Sequence, residues 1–117
     1  MKTLFVLTIG VAIITLAPTA MAGQHYKVAG TNPDGSPYSG AADITRASDT
    51  TCNITWTAGS TSSNGICMRN GDAFAAGYVL RKDAGLVIYQ VKEDGTLDGL
   101  WTVAGKNGTG TEVLTPE

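Results

Sequence analysis

The side chains with the widest chemical range in this chain are Cys52, Cys67 and His25. A nucleophilic thiol needs a base and a third group that orients the base, and a structural zinc site needs four Cys or His ligands. One histidine and two cysteines supply neither set. In an oxidising compartment an isolated cysteine pair forms a disulfide. A disulfide that closes a loop of this size stabilises the folded protein by about 3 kcal/mol, because it restricts the unfolded chain. The sequence therefore predicts a Cys52–Cys67 disulfide and no metal site.

The acidic and hydroxyl side chains show no catalytic pattern. Asp34, Asp94 and Asp98 fall at or beside turns, where Asp is favoured because its carboxylate bonds to the backbone. Residues 60–63 form a polar run with no motif around a nucleophile. The segment 94–98 lacks the ligand spacing and the terminal Glu of an EF-hand. We expect no catalytic residue and no cofactor, and therefore a protein that is not an enzyme.

The N-terminal segment 1–22 has the layout of an export signal. It combines Lys2, an apolar run over 4–17 and the small-x-small sequence Ala20-Met21-Ala22. A membrane span needs about 20 apolar residues, more than this run contains. We expect residues 1–22 to be a cleaved signal peptide, with 23–117 as one domain and no stable membrane insertion afterwards. The brevity of the signal indicates a bacterium, so the periplasm of a Gram-negative cell or the medium is the expected location.

The charge balance argues against two classes of partner. The formal net charge is -2, and the Lys and Arg residues are scattered singly along the chain. Nucleic-acid binding needs a basic patch or stripe, and adsorption to an anionic membrane needs a basic amphipathic segment. We therefore expect neither partner.

The chain after the signal alternates short β-favouring runs with turn clusters, and no segment has helical periodicity. Turns rich in Gly, Asn, Asp and Pro are predicted at 32–37, 59–64, 70–72, 82–85, 94–95 and 107–108. Strands are predicted near 25–29, 38–46, 51–57, 65–69, 73–81, 86–92, 97–104 and 111–114. About eight short strands that must hide their edges indicate an all-β antiparallel meander, as a closed calyx-like barrel or a tight sandwich.

The segment 86–103 allows a more detailed prediction. A two-residue loop at 94–95 would mix its apolar and polar faces, whereas a three-residue loop at 93–95, with Gly95 at positive φ, keeps the apolar residues together. The ring of Tyr89 then covers Gly99. The predicted cross-strand pairs are Val91 with Leu97, Tyr89 with Gly99 and Val87 with Trp101.

The strands that carry the cysteines are harder to orient. Cys52 and Trp56 share one face, and a bridge would bring Cys67 to that face and turn Ile66 and Met68 away from it. Either a bulge near Gly65 or a sheet with apolar residues on both faces resolves this conflict.

Seven aromatic residues follow the signal. In a domain this small we expect them mainly to fill the core, although the same residues would also line a ligand cavity in an eight-stranded calyx. They are Tyr26, Tyr38, Trp56, Phe74, Tyr78, Tyr89 and Trp101.

A resemblance rests on residues 85–89, 94–101 and 110–114, with Trp56 and Gly65 upstream. This pattern resembles small secreted or periplasmic β-rich bacterial proteins of uncharacterised function, some of which carry an automatic fibronectin-binding label. The shared motifs are turn glycines and core aromatics. The resemblance implies export, a β fold and binding to host matrix, and it implies no functional residue.

Three functions remain open at this point. The first is a non-enzymatic binding module that contacts a protein partner, such as host-matrix fibronectin, through the loops 32–37 and 59–64. The second is a periplasmic carrier of a small apolar ligand, with a cavity lined by Trp56, Trp101 and Tyr89. The third is an inhibitor of a cell-envelope enzyme, which needs a protruding loop.

Overall fold

The computed structural model describes residues 23–117, so the predicted signal peptide lies outside the described residues. Eight antiparallel strands form a closed barrel, in which each strand pairs with the next and the last pairs with the first. The all-β prediction is confirmed, and the architecture is the barrel rather than the sandwich. The strands are β1 Gln24–Thr31, β2 Pro37–Arg46, β3 Thr51–Ala58, β4 Thr61–Asn70, β5 Ala73–Leu80, β6 Asp83–Val91, β7 Leu97–Val103 and β8 Gly110–Pro116.

In an up-and-down meander, successive connections lie at alternate ends of the barrel. The connections 32–36, 59–60, 81–82 and 104–109 lie at one end, which we call the loop end. The turns 47–50, 71–72 and 92–96 lie at the opposite end. Residues 23–117 contain no helix long and apolar enough to cross a membrane.

Alternation along each strand sends every second side chain into the barrel. In β3 the inward residues Cys52, Ile54 and Trp56 are buried, whereas their neighbours Thr51 and Asn53 are exposed. The same pattern runs through β6, where Val87 and Tyr89 are buried. The inward side chains of all eight strands form one core cluster.

Large rings fit inside this narrow barrel because glycine stands opposite them. In four cross-strand pairs the ring lies over a glycine, and a Cβ on that glycine would overlap the ring. The prediction that Tyr89 covers Gly99 is confirmed, and the device recurs around the barrel. The pairs are Tyr38 with Gly30, Tyr78 with Gly85, Tyr89 with Gly99 and Trp101 with Gly110.

The β6–β7 hairpin has the predicted register, with Val91 opposite Leu97. The N–H of Lys92 donates to the carbonyl of Thr96 at 2.9 Å, which leaves the three-residue loop 93–95. Gly95 has a φ of 88°. A side chain at that φ is strained, so glycine is the residue that closes this loop.

The β1–β2 connection repeats this loop. Asn32 and Ser36 pair as Lys92 and Thr96 do, and Gly35 has a φ of 90°. In both loops an aspartate accepts hydrogen bonds from the residue two positions later. The aspartates at turns therefore serve the backbone, as the sequence predicts for Asp34 and Asp94.

Cys52 and Cys67 form the predicted disulfide across β3 and β4, with their Cα atoms 4.9 Å apart. Pairing of these strands is continuous and contains no bulge. Ile66 and Met68 accordingly face outwards, where they are 72% and 57% exposed. Of the two arrangements considered for these strands, the structure has the sheet with apolar residues on both faces and not the bulge near Gly65. Other exposed apolar side chains on neighbouring strands are Val79, Leu86, Ile88 and Leu100.

Two predicted turns are wrong in extent. The loop predicted at 59–64 is strand from Thr61 onwards, and only Gly59, at a φ of 62°, and Ser60 make the turn. The hydroxyl-rich run pairs fully with β3, and the Thr55 hydroxyl donates to Asn64 Oδ1 at 3.0 Å. Ser62 is exposed and Ser63 is buried, so the polar run alternates between the two faces of the sheet as a strand does.

The turn predicted at 82–85 also contracts, to the pair Arg81 and Lys82. Strand β6 begins at Asp83. Gly85, which suggested the turn, lies inside the strand because the Tyr78 ring needs the space above it.

Candidate ligand-binding cavity

A cavity of about 700 Å³ opens at the loop end of the barrel. Its deeper part is lined by the buried residues Val28, Val87 and Glu112, and its mouth by residues of the surrounding connections, such as Arg81 and Lys106. Four aromatic side chains also line the cavity. They are Tyr38, Trp56, Tyr78 and Trp101.

The aromatic residues therefore divide between two roles. Trp56 and Trp101 line the cavity, as the carrier hypothesis predicts. Tyr89 does not line it: its side chain is packed against Phe74, with ring centroids 5.8 Å apart, and the residue is 1% exposed. The expectation of a filled core holds for Tyr89 and Phe74, and the cavity takes the space near the loop end.

Glu112 is the buried carboxylate of this cavity, with an exposed fraction of 6%. The Tyr38 hydroxyl donates to its Oε1 at 2.7 Å, and the Trp56 indole N–H donates to its Oε2 at 2.9 Å. The Tyr89 hydroxyl also donates to Oε2. Three aromatic donors from β2, β3 and β6 thus converge on one side chain of β8. The ion pairs described in residues 23–117, His25 with Asp43 and Arg46 with Asp49, lie elsewhere.

Glu112 was not among the candidate residues from the sequence. A strand was predicted over 111–114, but a glutamate in a short strand is usually assigned to the outer face. The available signal was parity: Gly110, Glu112 and Leu114 occupy alternate positions, and the buried Leu114 fixes their common face. Reading that alternation from Leu114 would have placed the carboxylate inside.

The remaining polar atoms of the cavity rings are bonded to the backbone. The Trp101 indole N–H donates to the carbonyl of Thr111 at 3.1 Å, and the Tyr78 hydroxyl donates to that of Thr102 at 3.2 Å. Trp56 and Tyr78 pack together, with ring centroids 5.1 Å apart. These rings are therefore held in fixed positions by the surrounding strands.

Burial also fixes the protonation of the cavity tyrosines. Desolvation, reinforced by the negative charge of Glu112, raises the pKa of Tyr78 to about 12. The same two causes, in the same order, raise the pKa of Tyr38 and of Tyr89 well above the ordinary value. These tyrosines are neutral hydrogen-bond donors at physiological pH and do not act as bases.

The mouth of the cavity carries both signs of charge. Arg81 and Lys106 line it together with Asp34. The side-chain and backbone hydrogen bonds from Ser36 lower the pKa of Asp34. Arg81 has a φ of 59° and is the only non-glycine residue at positive φ among residues 23–117. A left-handed conformation at a non-glycine residue costs about 1 kcal/mol or more.

The other chemically versatile side chains do not join this site. His25 contacts Asp43 on the outer surface, where its side chain is 69% exposed. Cys52 and Cys67 are consumed by the disulfide. Within the described part of the chain, no three His, Cys, Asp or Glu side chains are grouped so as to hold a metal ion.

Replacing Glu112 separates its hydrogen bonds from its charge. Glu112→Gln keeps an acceptor oxygen for Trp56 and Tyr89, and its amide donates to the Tyr38 hydroxyl, which turns to accept. Glu112→Leu leaves all three donors without a partner, and each buried unsatisfied donor costs about 1–3 kcal/mol. We expect the Leu variant to lose about 2 kcal/mol or more of unfolding free energy relative to the Gln variant in urea titrations followed by tryptophan fluorescence. Equal stability of the two variants would contradict the network.

High pH tests the tyrosine environment. A tyrosine whose folded pKa exceeds its unfolded value of 10.0 stabilises the fold fully below pH 10, and this contribution is lost as the pH rises through the folded pKa. We expect the unfolding free energy to fall between pH 10 and about 12, and absorbance at 295 nm to show little tyrosinate at pH 10 in the native protein. In guanidinium chloride half of the tyrosines ionise at that pH. Half ionisation at pH 10 in the native state would show that these rings are exposed.

Two comparisons with known proteins identify no relative of this chain. Neither a scan against models of protein families nor a search of curated proteins gives a match. The likeness to secreted bacterial proteins with a fibronectin-binding label stays a prediction from the quoted residues.

Proposed function

We propose that the protein is an exported carrier that binds a small organic ligand in the cavity at the loop end of its barrel, without catalysis. The observation that carries this proposal is the cavity itself, about 700 Å³ in volume and lined by Tyr38, Trp56, Tyr78, Trp101 and Glu112. Ligand sites span about 300–1,000 Å³ and combine apolar walls with a few polar groups.

Rigidity of the walls supports the same proposal. A closed sheet has no free edge, and the rings of Tyr38, Tyr78 and Trp101 lie against glycines of neighbouring strands. Their polar atoms are bonded to Glu112 or to the backbone. A preformed site loses less conformational entropy when the ligand binds, so more of the contact energy appears as affinity.

The two protein-binding functions receive less support. Of the two loops expected to contact a partner, 59–64 shrinks to Gly59 and Ser60, whereas 32–36 remains a loop and contributes Asn32, Pro33 and Asp34 to the cavity lining. An inhibitor that enters an enzyme cleft needs a protruding segment, and the longest connection at the loop end, 104–109, contributes Lys106 and Asn107 to the cavity lining. Contact with fibronectin would use the same end of the barrel and would compete with the ligand.

The Cys52–Cys67 disulfide is compatible with export, because such bonds persist in oxidising compartments. We propose the periplasm or the medium as the site of action. The proposed ligand site there is formed by residues of the described barrel alone.

The carrier function is tested with the full chain, expressed with its own leader and purified from the periplasm or medium. Both tryptophans of the sequence line the cavity, so occupancy changes tryptophan emission. We expect the neutral fluorophore N-phenyl-1-naphthylamine to bind saturably with one site per chain. Native mass spectrometry of the same preparation then searches for a molecule that co-purifies.

A matched pair of variants locates that site. Ala58 lines the cavity, and Ala58→Phe should reduce naphthylamine affinity at least tenfold by filling it. Ala29 is exposed on the outer face of β1, and Ala29→Phe makes the same change outside the cavity and should leave affinity unchanged. Absence of saturable binding, or equal binding by the two variants, would refute the carrier function.

A further inference from the structure

We propose that the ligand is a small zwitterion, with a quaternary ammonium group at its inner end beside Glu112 and an anionic group at the mouth beside Arg81. This inference rests on the carrier function proposed above and adds the chemical class of the ligand. It follows from three features of the cavity: its buried acid, its rings and its rim.

The buried carboxylate of Glu112 favours a cation that makes few hydrogen bonds. Glu112 faces the cavity, and its partners within residues 23–117 are the aromatic donors of Tyr38, Trp56 and Tyr89 rather than a basic residue. Three of the roughly four acceptor positions of a carboxylate are thereby occupied. A primary ammonium needs several acceptors, whereas a quaternary ammonium is stabilised by charge alone. The negative charge remains for the ligand although the lone pairs are largely used.

The rings favour the same group. The N–H or O–H groups of Trp56, Trp101 and Tyr78 are bonded to Glu112 or to backbone carbonyls. What these side chains still offer a ligand is their π systems, which attract cations within about 6 Å of the ring centroid. Tyr38 and Trp101 form a second ring pair in the lining, with centroids 6.2 Å apart. A buried carboxylate among aromatic rings is a site for an alkylated ammonium.

The rim carries two positive charges and one negative charge, so its net charge is opposite to that of Glu112. Arg81 and Lys106 line the mouth, and the nearby carboxylate of Asp34 accepts hydrogen bonds from Ser36 within its own turn. Arg81 stands at a φ of 59°, a conformation that glycine adopts without strain. An arginine kept at a strained backbone position beside a cavity indicates that its side chain has a use there. A guanidinium binds a carboxylate through two parallel hydrogen bonds.

These two charges select against ligands of a single sign. A simple anion that entered would approach Glu112, and a simple cation would have to pass Arg81 and Lys106. A molecule with its cation inward and its anion outward is attracted at both levels. Trimethylammonium carboxylates are the smallest compounds of this kind.

Two isosteric pairs of compounds test the proposal in the full, exported chain. Glycine betaine and 3,3-dimethylbutanoate share a shape and a carboxylate, but only the first has the positive charge. Choline and 3,3-dimethylbutan-1-ol differ in the same way without a carboxylate. Affinities are measured at neutral pH and low salt by displacement of N-phenyl-1-naphthylamine and by calorimetry. We expect at least a tenfold preference for the cation within each pair, and at least threefold tighter binding of betaine than of choline.

Variants assign these preferences to residues. Glu112→Gln, which keeps the hydrogen bonds of the network, should bring the affinity ratio of betaine to dimethylbutanoate close to one. Tyr78→Leu should weaken betaine at least threefold more than Tyr78→Phe, which keeps the ring but loses the hydrogen bond to Thr102. Arg81→Gly should abolish the preference for betaine over choline and should not lower the melting temperature. Lys82→Gly removes the same charge from the same turn, outside the cavity lining, and should leave the preference intact.

The outcomes distinguish this proposal from the carrier function. If naphthylamine binds but the members of an isosteric pair compete equally, the zwitterion is wrong and the carrier function stands. The zwitterion is equally wrong if Arg81→Gly and Lys82→Gly behave alike. If neither naphthylamine in the fluorescence assay nor any of the four compounds in calorimetry binds, the carrier function fails. Should Glu112→Gln not fold, the Tyr78 pair and the compound pairs still decide the question.

Discussion

The structure depends on one buried carboxylate and the three aromatic side chains that bond to it. Glu112 on β8 is reached by Tyr38 from β2, Trp56 from β3 and Tyr89 from β6, so four of the eight strands meet at this point. A buried carboxylate is tolerated only where hydrogen bonds replace its hydration. The network therefore sets the positions of three large rings. Towards Leu114 the barrel is filled, and towards Gly110 it opens into the cavity.

Interior volume is the second constraint on this fold. A narrow barrel of eight strands has little room for rings, and glycines opposite Tyr38, Tyr78, Tyr89 and Trp101 provide it. This arrangement explains why glycines inside strands, such as Gly85, look like turn residues in the sequence. It also explains how the barrel holds an aromatic wall at the loop end while the opposite end packs closely. The proposed ligand site is a product of this division.

Features governed by local rules were predictable from the sequence. The register of the hairpin from β6 to β7 follows from alternation and from Gly95, and the disulfide follows from two cysteines in a chain predicted to be exported. The sequence predicted a closed barrel or a tight sandwich without deciding between them, because the choice depends on β1 meeting β8, two segments at opposite ends of the described chain. Glu112 was not predicted to be buried, because a charged side chain in a short strand is usually assigned to the surface. Only the alternation from Leu114 indicates its direction, and no local motif reveals three donors from distant strands.

Hydrogen exchange of the two tryptophan indole N–H groups, followed by NMR on the native protein, reports whether Glu112 and its donors are buried in the barrel. The Trp56 N–H lies inside the barrel on Glu112, whereas the Trp101 N–H bonds to the Thr111 carbonyl on a less buried side chain. We expect the Trp56 N–H to exchange much more slowly, because its exposure requires the barrel to open. Comparable and rapid exchange of both indoles would contradict a Glu112 buried beneath an open cavity.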